Sequence, residues 1–241
     1  MASRPPADAR LADEPAFVLS RRPWKETSFV ADFFTRGRGR IVAAVRGAQR
    51  EGSRFRGLID PFYPLAISCS GQGEVKNVTA ASWRGGHFMP SGDALMPAFY
   101  MNELVLRMTV REVPMPELFD AYARALAHLG ILGGDAAGPV LRGFECDLLA
   151  SCGWWQGELP ASPGGLYAVR DGMLAPCCDG GRENAGPAFS AAAAQAVFSR
   201  SFDDRALARE TQAILQRMID CHLGGRGLAT RETLRKWRGL A

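Results

Sequence analysis

The chain has 241 residues, 47% of them hydrophobic and 22% charged, a composition that excludes bulk disorder and supplies ample apolar material for a core. The 29 Lys and Arg outweigh 25 Asp and Glu by a formal charge of only +4, too small an excess to establish a polyanionic partner. No run approaches the ~18 consecutive apolar residues of a membrane-spanning helix, and Met1–Pro15 lacks the apolar stretch of a secretory signal. No membrane association is expected, and the assigned compartment is the cytoplasm.

The charge is unevenly placed. Residues 1–80 hold 13 Lys and Arg against 8 Asp and Glu, whereas the remainder holds 16 against 17. Between Phe17 and Asp60 there are ten basic residues, nine of them Arg, against four acidic ones. Arginine offers a planar fork of donors that grips phosphate and stacks on bases.

In chain order, residues 1–15 read as a disordered tail rich in Ala, Pro, Arg and Asp. Residues 16–82 read as a β-rich domain with short strands at Ala16–Leu19, Phe29–Phe34, Ile41–Val45, Pro64–Ser68 and Val75–Thr79. Five strands in about 65 residues suit an OB-fold, a small Greek-key barrel, with an SH3-like barrel as the competing arrangement. The widest gap, Arg46 to Phe62, places Arg46, Arg50, Arg54 and Arg56 among glycines and reads as a flexible basic loop or hairpin.

Residues 83–241 read as a helical domain, in which the period becomes helical from Gly92 onward. Helices are predicted over Ala94–Val110, from Pro116 to Gly130, over Gly138–Cys152, Phe189–Ser199, Asp204–His222 and Thr230–Trp237. An irregular insert at about 154–187 interrupts them, with Asp171-Gly172 as a two-residue hairpin signal. The fold class is therefore α+β: an N-terminal barrel followed by an α-helical C-terminal domain with a small insert.

The six cysteines are scattered and are expected to be reduced thiols. Cys177 and Cys178 are adjacent and no C-x-x-C occurs, so neither a metal site nor a cofactor is expected. His87, His128 and His222 stand alone, and no phosphate-binding G-x-x-x-x-G-K-[ST] is present. No catalytic residues are assigned. The positive signal is the arginine cluster. Arg36, Arg38 and Arg40 alternate and in a strand would share a face, with Arg46, Arg50, Arg54 and Arg56 extending the stripe. Among interleaved aromatics, Phe33, Phe34 and Phe62 read as core, whereas Trp24 and Phe55 read as exposed stacking platforms. The candidate DNA-binding set is Arg22, Trp24, Lys25, Arg36, Arg38, Arg40, Arg46, Arg50, Arg54, Phe55 and Arg56.

Arg22-Pro23-Trp24-Lys25-Glu26-Thr27-Ser28 and Asp32-Phe33-Phe34-Thr35 resemble the opening of the bacterial recombination-mediator family RecO. The resemblance runs on through Gly39-Arg40-Ile41, Val45-Arg46-Gly47-Ala48, Ser53-Arg54-Phe55-Arg56-Gly57, Pro61-Phe62-Tyr63-Pro64-Leu65 and Gly73-Glu74-Val75-Lys76. Tyr100-Met101-Asn102-Glu103-Leu104 and Arg142-Gly143-Phe144-Glu145 resemble its helical part. The resemblance implies an OB-fold with a helical C-terminal domain, binding of single- and double-stranded DNA, and annealing of complementary strands at the nucleoid. It also implies action with RecR to load RecA onto gapped DNA coated by single-strand-binding protein (SSB). Recognition of the acidic SSB tail needs a cation beside an apolar pocket, and Phe99, Leu141 and Arg142 are the candidates. The four-cysteine zinc site of some members has no counterpart in the 154–187 region. A plain OB-fold single-strand binder and a metal-dependent DNA-processing enzyme are the competing classes.

Overall fold

The computed structural model describes residues 11–71, 73–86, 89–134, 137–177 and 187–238, with side chains given up to residue 234. It divides into two units, one comprising residues up to Pro90 together with Thr109–Ile131, the other Ser91–Met108 together with residues from Leu132 onward.

In the first unit five strands form a closed barrel: β1 (Leu11–Trp24), β2 (Ser28–Thr35), β3 (Gly39–Val45), β4 (Leu65–Ser70) and β5 (Val75–Trp83). Their order around the barrel is β1-β2-β3-β5-β4, with β3 and β5 parallel and the other neighbours antiparallel. That is OB-type connectivity. Residues 11–15 belong to β1, where Leu11 pairs with Cys69 and Pro15 with Ala66, so the expected tail loses these five residues to the barrel. Alternate side chains of β2 and β3 fill the interior, with Ala31 and Phe33 facing Ile41, Ala43 and Val45 in one core.

The segment from Arg46 to Phe62 is a chain of turns closing one end of the barrel. Ala48, Phe55 and Ile59 enter the barrel core, with Leu58 and Tyr63 packed beside them. Burial of these apolar groups fixes a loop that its Gly and Arg content alone marks as flexible.

Helix α2 (Pro116–Leu132) packs on the barrel's outer wall, not within the helical unit as the boundary at residue 83 implied. Phe119 and Tyr122 meet Phe17 and Phe34 at ring-centroid distances of 5.2 to 5.9 Å. Phe34 is thus buried, but by a helix against its outward face. Gly39 opens β3 at φ +66°, and a Cβ there would stand 1.8 Å from the carbonyl oxygen of Val113. Only glycine lets that backbone come so close.

The second unit holds α1 (Leu95–Met108), α3 (Ala137–Ser151), α4 (Ala191–Ser199), α5 (Ala208–His222) and α6 (Ala229–Arg238). A three-stranded sheet interrupts them, ordered β7-β6-β8, from β6 (Leu166–Arg170), β7 (Met173–Pro176) and β8 (Phe189–Ser190). Asp171 and Gly172 form the β6–β7 turn with φ +49° and +78°, as their sequence predicts. The sheet's outer edges are met by side chains: the Gln156 amide accepts from the Leu174 N–H at 2.9 Å and donates to its carbonyl at 3.0 Å, and the Ser190 N–H donates to Glu210.

Candidate nucleic-acid interface

The alternating arginines of the β2–β3 hairpin do not form one free face. Thr35 pairs with Gly39, so Arg36 and Arg38 lie in a tight turn while Arg40 is the second residue of β3. Arg36 donates through Nε and Nη2 to both carboxylate oxygens of Asp120 on α2, at 3.0 and 2.9 Å. Arg40 lies 3.3 Å from Asp32 and donates to the Thr109 carbonyl at 2.9 Å, and its burial lowers its pKa. Two of the three members are thus engaged within the protein, and Arg38 is half-buried at the turn. Phe55 also differs from its expected role: it is 6% exposed, in the barrel plug, with the Arg54 guanidinium 4.9 Å from its ring centroid. Arg54 itself donates to the Thr79 carbonyl at 2.6 Å. The polar flanks of Phe55 hide its burial because the loop alternates outward arginines with inward anchors.

The remaining candidates are exposed. Arg22, Lys25, Arg46, Arg50 and Arg56 have no carboxylate partner among the described residues. Trp24, 37% exposed, closes β1, and Lys25 at φ +55° turns its ammonium over the indole, 4.7 Å from the ring centroid. Trp24 to Ser28 form one wall of an open groove of about 700 Å³, and Arg46, Gly47 and Arg50 form the other. The Gln49 N–H donates to the Thr27 carbonyl at 2.9 Å, and the Gly47 N–H to Ser28 Oγ at 3.2 Å. These bonds tie the β1–β2 turn to the loop after β3.

In the helical unit, Phe99 is 41% exposed on α1 and Leu141 is half-buried on α3. Arg142 is only 7% exposed and grips Glu145 through Nε at 2.5 Å and Nη2 at 2.8 Å. Glu145 also accepts from the Tyr100 hydroxyl at 2.6 Å, and that oxygen accepts from Arg231 at 3.0 Å. Arg142 is therefore held within a buried network that ties α1, α3 and α6. Burial opposes its charge, but the Glu145 carboxylate raises its pKa above the ordinary value.

Two family models match the chain. One described as "Recombination protein O N terminal" matches residues 10–86, and one described as "Recombination protein O C terminal" matches residues 89–155. The chain is 38% identical over 240 residues to the DNA repair protein RecO of Aromatoleum aromaticum, covering 96% of this chain and 98% of that protein. It is 36% identical to the DNA repair protein RecO of Polaromonas naphthalenivorans, covering 97% and 100%. The chain belongs to the RecO family.

The RecO N-terminal match takes in all five barrel strands and the groove, and the C-terminal match takes in α1, α2 and α3. Sequence reasoning missed the acidic partners Asp120 and Asp32, which local spacing does not join to their arginines, and Glu145, although it stands at helical i,i+3 spacing from Arg142. It also missed Glu26, the one acid lining the groove among the described residues, and Trp83, 57% exposed at the end of β5. The period-two pattern of that strand carries a signal only for its start. Among the described residues no cluster of three or more His, Cys, Asp or Glu could hold a metal, and no helix is long and apolar enough to cross a membrane. His87, Cys178 and the side chains of Arg235, Lys236 and Arg238 lie outside the described residues. Cys69, Cys146 and Cys152 are pushed up by burial to about 11, 12 and 11, so they are poor thiolates at neutral pH.

Proposed function

We propose that this chain is a DNA-binding recombination mediator. It binds single- and double-stranded DNA in the cytoplasm, at the nucleoid, anneals complementary strands and, with RecR, promotes RecA loading onto SSB-coated gaps. The observation that carries the reading is the set of exposed cations without carboxylate partners among the described residues, Arg22, Lys25, Arg46, Arg50 and Arg56, on an OB-type barrel of the RecO family.

Annealing makes and breaks no covalent bond. It requires two polyanions to approach while their base edges stay available. Exposed guanidinium groups neutralise phosphates and release condensed counterions, which gives affinity with little sequence preference. Arg36, Arg40 and Arg54 serve this surface indirectly, by fixing the barrel and its loops. For the acidic SSB tail the proposed site is the helical unit around Phe99, Leu141 and Arg142. Arg142 already faces Glu145, so a peptide carboxylate would have to share that guanidinium.

The test mixes labelled complementary strands, bare and SSB-coated, in EDTA. Faster pairing with intact strands supports a mediator. Binding without faster pairing supports a plain single-strand module, and scission only when magnesium replaces EDTA supports an enzyme.

A further inference from the structure

The groove beside Trp24 differs in chemistry from the rest of the basic surface. One wall presents an indole with the Lys25 ammonium 4.7 Å from its centroid, and the other presents Arg46 and Arg50. Among the described residues Glu26 is its one acidic lining residue. The site is an open groove of about 700 Å³, not an enclosed pocket, so it can admit a segment of chain from the side. The Gly47 N–H bond to Ser28 Oγ and the Gln49 N–H bond to the Thr27 carbonyl hold the two turns together, so the backbones that carry the aromatic and the cations stay side by side.

An exposed indole, with Lys25 over its ring, lining the same groove as two arginines without carboxylate partners among the described residues, suits a nucleotide: a flat base for the indole and phosphates for the cations. We propose that this groove seats one unpaired nucleotide of a DNA single strand, its base stacked on Trp24 and its adjoining phosphates against Arg46 and Arg50. The proposal rests on the DNA-binding reading above and adds that this site discriminates against duplex. In a duplex each base is already stacked on both faces, and presenting one to Trp24 requires unstacking it. A duplex therefore uses the arginines without using the indole. The Glu26 carboxylate repels phosphate, which favours a base over a phosphate beside it.

The test uses the full chain and fluorescence anisotropy, with labelled oligo(dT), an abasic oligonucleotide of equal length and a blunt duplex, each across a salt series. Trp24→Ala should weaken oligo(dT) binding about 5- to 150-fold with the salt slope unchanged. It should leave duplex and abasic strand within about twofold, and Trp24→Phe should restore most of the loss. Combined Arg46→Ala and Arg50→Ala should weaken all three ligands and flatten the salt dependence by nearly two charges. If Trp24→Ala weakens duplex and single strand alike, or weakens neither while the arginine variant weakens both, the stacking site is refuted and the DNA-binding reading stands. If the arginine variant changes nothing, the DNA-binding surface itself is refuted. An unchanged urea midpoint for Trp24→Ala confirms that the readout is binding.

Discussion

Phe55→Ala separates structural from binding roles within the basic loop. The ring is 6% exposed, packed in the core cluster with Ala48, Ile59 and the barrel strands, and covered by the Arg54 guanidinium at 4.9 Å. Truncation removes nearly a full phenyl burial and leaves a cavity where backbone turns on one side and β-strands on the other can relax only in part. Such changes cost about 3–5 kcal/mol, and loss of the partly exposed cation–ring contact adds roughly 0.5–1 kcal/mol. We expect about 4 kcal/mol, a fall in urea midpoint of about 2 M for an m-value near 2 kcal/mol/M. Because the protein has two units, unfolding should be followed through hydrogen exchange of β2 and β3 amides, which report on the barrel alone. Phe55→Leu keeps most of the plug and should cost less than about 2 kcal/mol, with oligonucleotide affinity intact. Unchanged β2 and β3 protection in Phe55→Ala, together with weakened DNA binding by the folded protein, would refute the assignment of Phe55 to the core.

Four further outcomes follow from the geometry. Gly39→Ala should destabilise the barrel by more than about 2 kcal/mol, because the residue sits at positive φ and its Cβ would meet the Val113 carbonyl; a thermal melt within 1 °C of the parent would contradict this. Arg142→Ala should destabilise the helical unit by about 3–5 kcal/mol by leaving the buried Glu145 carboxylate without its cation, and Arg142→Met with Glu145→Gln should recover part of that loss, as read by urea unfolding. Burial opposes ionisation of Glu103, but hydrogen bonds from Thr230 and Ala229 hold its carboxyl below the ordinary 4.5. Its contribution to docking α6 is therefore complete above pH 4.5 and lost as pH falls through the depressed value, so amide exchange in α6 should rise in acid, and Glu103→Gln should abolish that pH dependence. His222, stacked on Trp154 at 4.0 Å, is held by burial below its ordinary 6.5. Protonation then favours the open form, so protection of the β6–β7 turn should weaken as pH drops below 6.5 and should be pH-independent in His222→Phe.

The barrel was readable because its strands carry local signals. The alternation at Phe29–Phe34 and Ile41–Val45 marks inward and outward faces, and Gly39 and Gly47 mark where the chain turns. α2 was readable as a helix but not as part of the barrel unit, since its stripe of Leu118, Tyr122 and Leu126 does not name the surface it covers. The candidate site was half legible. Arg46, Arg50 and Trp24 are exposed as their turn-like surroundings imply, whereas Arg36, Arg40 and Arg142 are claimed by Asp120, Asp32 and Glu145. Asp120 is 84 residues from Arg36 and Asp32 lies on the strand before Arg40, and neither is marked by strand or helix periodicity, whereas Glu145 stands at i,i+3 from Arg142, a helical spacing that went unused. Phe55 escaped for a related reason. A loop that folds back to plug a barrel buries single residues at irregular spacing, which no regular pattern discloses.

The small sheet of the helical unit has a consequence for how the protein behaves at high concentration. On the proposed function, copies bound to one DNA strand would lie side by side along it. Short exposed edges invite such neighbours to extend one another's sheets. Here Gln156 occupies the amide and carbonyl of Leu174 on one flank, and Glu210 occupies the amide of Ser190 on the other. Crowded copies thus meet, at these edge groups, hydrogen bonds that are already made, which disfavours extension of this sheet through Leu174 and Ser190.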